Sequence, residues 1–430
     1  MSSHSGPRPI RAAAFVALFS AMLAASTARA QLASDEVPRV RTVPRSEEIE
    51  DQLQSSRFHL GPIRVRPIFG LRDTGYDNNV FGSPDDPISD WRSTVSAGAD
   101  LVLPLGRKMY LLGTANPEYT WYKKLTERRL LGGVYGGSVL GLFNRLSIET
   151  GGSTEKTIGP VSSELERAIP GRLTDTFARG ELEIFRRLSV FGSAEQQRQR
   201  YDATAGDLLA ALNVERIERD ETYVRGGVRY ALRSYFDVSL AAENGRTEFV
   251  TARESDNKTR AILIGVHYDR PRFFLNLSGG TRDVQPRGVL STFPSFSTTT
   301  GSWYAAYELG ASLAIDASGH RSIVYSLYAL NPYFHETRNG LGLTLPLGRR
   351  IGIRAFSEAG DNDYPIRGAE LIDRKDKVLI FGGGIAYRLY RKIVVTFVAS
   401  QTRYDSNVDT YDRSVLRVAT TLSLRGESFR

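Results

Sequence analysis

Leu341-Gly342-Leu343-Thr344-Leu345-Pro346-Leu347-Gly348-Arg349-Arg350 sets a leucine at every second position and then stops on a short basic turn. A side-chain period of two belongs to a strand with two unlike faces. The leucine row suits an apolar medium, and the Gly342 and Thr344 row suits water. The chain repeats the unit: an alternating strand, a very short turn carrying arginine, lysine or histidine, and a second alternating strand. The other turns read as Gly106-Arg107-Lys108, Asn144-Arg145, Arg186-Arg187, Arg233-Ser234, Arg270-Pro271-Arg272, Gly319-His320-Arg321 and Tyr390-Arg391-Lys392. Between them longer polar connections are expected around Asp85 to Trp91, Lys123 to Arg129, Lys156 to Arg172, Asp202 to Asp220, Glu254 to Lys258, Pro286 to Gly301 and Gly360 to Lys375. Short and long linkers then alternate, as in an antiparallel barrel with one short-turn rim.

Other segments show the same two faces. Val95, Ala97, Ala99, Leu101, Leu103 and Leu105 oppose Thr94, Ser96, Gly98 and Asp100, and Phe236, Val238, Leu240 and Ala242 oppose Asp237, Ser239 and Glu243. A soluble sandwich also alternates, but its inner face fills a dry core with bulky side chains. Here the polar face carries charges of both signs in mid-strand, which a dry core would not tolerate and a hydrated lumen does. Each interval between basic turns holds two strands, so four-stranded propeller blades do not fit. One strand before the first tight hairpin, two for each hairpin and one after the last predict about eighteen. The expected fold is all-β: a transmembrane antiparallel up-and-down barrel with short periplasmic turns and longer extracellular loops.

Bulk composition agrees. With 41% hydrophobic residues and a mean hydropathy of -0.27, the 430-residue chain is too polar for a bundle of membrane helices. A barrel strand needs only about 9–11 residues, apolar on one face. The absence of cysteine excludes disulfides, thiolate metal sites and a lipidated cysteine. Arg8 and Arg11 precede the apolar run Ala12 to Ala25, and Ala28-Arg29-Ala30 supplies small residues for cleavage before Gln31. Residues 1–30 therefore read as a secretory signal, 31–60 as a flexible periplasmic segment punctuated by Pro38 and Pro44, and 61–430 as the barrel. The net charge of +8 suggests nucleic acid at first sight, yet the basic residues stand singly rather than in one stripe, which argues against it.

Alternation assigns Arg64, Arg66, Arg72, Arg179, Arg225, Arg229, Arg354 and Arg417 to the lumen, with Asp100, Glu149, Glu181, Glu183, Glu243, Glu308 and Glu358 among them. Two readings stay open: rows on opposite walls that bias charged solutes, or pairs across neighbouring strands that line a hydrated interior. Catalytic residue types are scarce. Of the histidines, His4 leaves with the signal, His59 precedes the barrel, His320 falls in a turn, and His267 points inward alone. His335-Glu336, at an outer strand end, offers the one place for a surface hydrolase, and no serine nucleophile motif accompanies it. Asp361 and Asp363 lack the further oxygen ligands of a calcium site, so neither metal nor cofactor is implied.

Gly75-Tyr76-Asp77-Asn78-Asn79-Val80-Phe81 closes the first strand, and Tyr404-Asp405-Ser406-Asn407-Val408 closes the penultimate one. Tyrosine suits a lipid boundary, and Asp and Asn turn the chain by bonding their own backbone. The first string, with Tyr76, Asp77 and Asn79 as its motif, resembles the β-barrel porin family 2. That resemblance implies a Gram-negative outer-membrane protein tied to exopolysaccharide or capsule production. Its partners would be outer-membrane lipid, a polysaccharide and periplasmic export components. Such barrels commonly end in an aromatic residue, whereas Phe429 stands one place early. The expected function is a hydrated passage linked to exopolysaccharide export or surface assembly. A general diffusion porin and a plugged interaction barrel without transport are the other readings.

Overall fold

Alternating side chains become long antiparallel strands joined edge to edge. The computed structural model describes residues 49–50, 52–54, 56, 58–83, 87–202, 214–310, 313–328, 331–365, 374–390 and 393–425. The expected signal segment lies outside these residues, as do Arg391, Lys392 and Phe429. A short strand, β1 (Phe58–Leu60), pairs with the start of the first long one. The eighteen long strands are β2 (Ile63–Asp77), β3 (Asp90–Pro104), β4 (Met109–Tyr122), β5 (Leu130–Leu142), β6 (Leu146–Ser162), β7 (Leu165–Phe185), β8 (Leu188–Tyr201), β9 (Arg219–Arg233), β10 (Phe236–Phe249), β11 (Asn257–Arg270), β12 (Phe273–Pro286), β13 (Phe296–Leu309), β14 (Leu313–Tyr325), β15 (Tyr333–Leu347), β16 (Ile351–Asp363), β17 (Lys375–Tyr390), β18 (Ile393–Ser406) and β19 (Arg413–Arg425). Each pairs antiparallel with its sequence neighbours, and β19 pairs with β2, which closes the ring. Closure removes every free sheet edge from the band that meets lipid.

The outward face is apolar and uncovered by protein. Leu341 is 53% exposed, Ile262 60% and Ile385 50%. Hydrocarbon covering that band supplies the burial, roughly 1.5–3 kcal/mol per large side chain, that a soluble protein takes from its core. Rings mark the band's edges. On the short-turn side Phe236, Tyr268, Phe273 and Tyr307 stand next to one another on four successive strands, 5.5–6.4 Å apart. On the long-loop side Tyr76 stands beside Trp91 at 5.8 Å. The adjoining string turns the chain as its residue types imply: Asn79 donates its backbone N–H to Asp77 Oδ1 (2.9 Å), and Ser83 N–H bonds Asn79 Oδ1 (2.9 Å).

Two linkers differ from expectation. Gly319-His320-Arg321 lies inside β14, and the turn before that strand begins instead at Gly310, whose φ is 67°. Gly319 serves packing: a Cβ there would meet Trp303 Nε1 at 2.3 Å. The Lys156 to Arg172 connection is mostly strand, since β6 runs to Ser162 and β7 starts at Leu165.

Candidate functional site

The lumen wall is a lattice of ion pairs between strands. Arg66 on β2 bonds the directly opposite Asp100 on β3 (2.6 Å), which also accepts from Thr114 (2.9 Å). Arg72 reaches across β3 to Glu118 on β4. Arg179 bonds Glu149 (2.8 Å), and Arg229 bonds Glu181 (2.8 Å). Glu243, 2% exposed, takes Arg225 Nε at 2.8 Å on one oxygen and Arg282 at 3.0 Å on the other. Arg417 bonds Asp77 (2.9 Å) and so ties the last strand to the first. Arg354 on β16 passes over β15 to grip Asp316 on β14 with both Nη atoms, 2.7 and 2.8 Å. Gly342, on the intervening strand, makes this possible: a Cβ there would lie 2.5 Å from both partners.

Pairing therefore prevails over free rows for most of the predicted lumen residues. Glu358 lies 3.9 Å from Arg338, a residue not predicted as part of the site. Arg64, at the short-turn end, bonds the His59 ring (2.9 Å). Glu183 and Glu308, near the same mouth, form no ion pair among the described residues. The histidines gather no catalytic set. His267 packs on Phe274 at 5.4 Å, and His335 is edge-on to Phe296 and Tyr333. His320 is in the lumen rather than in a turn and bonds Glu336 at 3.0 Å. Glu336 also accepts from Ser163, so a carboxylate stands between that hydroxyl and the imidazole. Asp361 faces Lys375 at 3.5 Å.

The feature missing from the sequence reading is a strap across the lumen. Beyond the Gly133–Lys156 and Gly171–Tyr201 pairs, β6 and β7 have only each other as partners. Their tip crosses to strands half-way round the ring. Ser163 Oγ donates to Glu336 on β15 and to Asn362 on β16 (3.3 Å), while its carbonyl accepts from Arg413 of β19 (2.7 Å). Glu164, 5% exposed, accepts from Ser326 Oγ and Leu327 N–H, both at 2.9 Å, with Arg374 3.8 Å away. Arg374 in turn bonds Asp376 through two nitrogens (2.9 and 2.6 Å) and stacks on Tyr411. Burial pushes the Glu164 carboxyl above its ordinary range, against the opposing pull of Leu327 N–H, Arg374 and Ser326. For Arg374 burial acts downward, but the bond to Asp376 and the fields of Tyr364, Asp376 and Glu164 outweigh it and hold the guanidinium charged.

An apolar core roofs this side of the lumen. Val161 and Ile169 of the strap pack with Tyr201, Ile217, Phe249, Phe293, Tyr325 and Tyr333. The outer end of β14–β15 leans in to join it: β13 and β14 pair only from Gly301 and Arg321 toward the short-turn rim. Tyr325 OH meets Thr247 Oγ1 at 3.0 Å, and Phe296 stacks on Tyr333 at 4.4 Å. Free space is left between the strap and the β2–β4 wall, a cavity open to solvent. Arg72, Arg92, Arg172, Arg200 and Arg417 line it against Asp73 and Glu155, with Thr94, Thr120 and Thr157. Of these, sequence reasoning found only Arg72 and Arg417. Arg92 was legible, because it shares the parity of Asp100 on the same strand. No local signal announces Ser163, Glu164 or Arg374.

No protein-family model matches the chain, and no curated protein sequence matches it. Solved structures do. A BenF-like porin from Pseudomonas fluorescens is similar at 12% identity and a TM-score of 0.52, covering 85% of this chain and 99% of that one. Pseudomonas aeruginosa OccK2 (OpdF) is similar at 11% identity and 0.52, covering 84% and 98%. Acinetobacter baumannii OccAB3 gives 10% and 0.50, covering 84% and 99%. At these identities the shared property is the fold, the closed eighteen-stranded barrel of outer-membrane porins.

Proposed function

We propose that this protein is a passive diffusion channel of the outer membrane for small polar solutes, with little discrimination by charge. The observation that carries the proposal is the solvent-open cavity between strap and wall, edged by five guanidinium groups and two carboxylates. Arg72, Arg417 and Arg200 are paired with Glu118, Asp77 and Asp220, so the guanidinium groups are balanced by carboxylates and the opening is polar with close to no net charge. Threonine hydroxyls offer a moving solute hydrogen bonds to exchange for water. Nothing here needs a bound cofactor. The porin likeness in fold supports a channel of this general kind. The exopolysaccharide link draws no support: Asp77 and Asn79 are spent on a turn, and the strap divides the lumen that a polymer chain would thread.

Purified protein in planar bilayers should give discrete conductance steps and a reversal potential close to zero in a salt gradient. The paired variant Arg92→Gln/Arg417→Gln should move that potential to the cation-selective side. Silent bilayers, with correctly folded protein present in them, would end the channel reading.

A further inference from the structure

The outer edge of the apolar band differs around the ring. On β2–β4 it is aromatic, with Tyr76, Trp91, Tyr119 and Trp121 facing out. On β10–β11 the equivalent outward positions are Arg246, Lys258 and Arg260, all exposed. Phe236, in the ring of aromatics at the other edge, fixes their height. Ten residues at about 3.4 Å, tilted near 40°, carry β10 about 26 Å up to Arg246, which matches an apolar band about 25 Å tall. These cations therefore stand at headgroup level, directly above Leu240, Ile262 and Ile264, which are 50–60% exposed.

Their pairing is unusual. Arg246 lies directly opposite Lys258 in the ladder, and like charges so placed repel. Neither these two nor Arg260 forms a hydrogen bond or ion pair among the described residues. The acids nearby are mostly engaged: Asp220 with Arg200 (2.5 Å) and Glu248 with Arg287 (2.5 Å). Asp283 lies opposite Arg260, outside ion-pair distance. An arc of unsatisfied cations continuous with a lipid-facing stripe fits one ligand chemistry: phosphate groups on a lipid whose acyl chains lie along that stripe.

We propose that the outward outer rim of β10–β11 binds a phosphorylated glycolipid of the outer leaflet through Arg246, Lys258 and Arg260. The inference is independent of conductance and would survive a silent channel. It is tested with barrels reconstituted into phosphatidylethanolamine vesicles containing lipid A, either bisphosphorylated or dephosphorylated, then stripped with detergent and weighed by native mass spectrometry. Wild-type barrels should retain the phosphorylated form, and Arg246→Gln/Lys258→Gln/Arg260→Gln should retain at least about tenfold less. Lys377→Gln/Arg403→Gln, exposed cations at the same height on the far side of the ring, should match wild type, and heat-modifiable electrophoretic mobility should show all three barrels closed. Equal retention of the dephosphorylated lipid, equal loss from the Lys377→Gln/Arg403→Gln variant, or displacement by inorganic phosphate would each overturn the assignment.

Discussion

The β6–β7 and β17–β18 hairpins arise from the same alternation and end in different places. β17–β18 stays in the wall along its length, with Leu379 40% and Ile385 50% exposed outward. β6–β7 outruns its neighbours, and there Val161 and Ile169 are 0% and 2% exposed, inside the ring. The difference lies in what each apolar face finds beside it. Within the band a wall hairpin meets hydrocarbon. Above it, an unsupported hairpin has only water outside, so its apolar residues go inward against other loops. Two-sidedness is thus local, whereas the medium on each side depends on height and neighbours.

The comparison is broken most severely by removing the cation that holds the strap. Arg374→Ala would leave Glu164 and Asp376 buried without their counter-charge, a loss of about 3–5 kcal/mol from the docked state. Single-channel conductance should rise, and protease should cut near Ser163 in a barrel that otherwise stays closed. Unchanged conductance together with an uncut tip would mean that the strap does not depend on this pair.

A wall substitution should act on selectivity and leave the strap alone. Glu243→Gln leaves Arg225 and Arg282 without their shared carboxylate, destabilising the barrel by about 1–3 kcal/mol. It should shift the reversal potential toward anions, and a shift toward cations would contradict the placement of Glu243. Smaller again is Gly348→Ala at the short-turn rim. No atom stands within 4 Å of the added Cβ, so only the φ of 66° penalises it. A loss of about 1 kcal/mol should appear as a modest fall in melting temperature with conductance intact.

The smallest effect sharpens the electrostatics of the strap. Because burial raises the Glu164 pKa, the protonated acid favours the docked tip. Docking is then fullest below the ordinary carboxylate range and weakens as pH rises through the raised value. Glu164→Gln keeps an acceptor for Leu327 N–H but cannot ionise. It should match wild type in acid and lose the pH dependence of tip protection, as read by protease resistance. Protection that grows with pH in the wild type would reverse the sign.

Legibility followed the range of each interaction. Outward leucines, inward charges and the Asp77–Asn79 turn depend on residues a few places apart, and each was readable. Gly319 shows where that fails: beside His320 and Arg321 it has the composition of a turn, yet its function is to admit the Trp303 ring from the next strand. Gly342 is similar, since its value lies in an Arg354–Asp316 bond joining strands on either side of it. The predicted lumen residues share the inner face, but their counter-ions were named only in part. Glu118, Asp316 and Arg282 went unread because a long guanidinium can reach a second strand.

By itself the sequence determined that this chain forms about eighteen two-faced strands with solvent inside and an apolar band outside. A period of two and turn chemistry act between near neighbours along the chain. Only the tertiary structure decided that one hairpin would leave the wall, cross the lumen and narrow the passage. Ser163, Glu164 and their partners on β15, β16 and β19 are brought together by ring closure, and contacts made across a diameter leave no periodic trace in the strands that carry them.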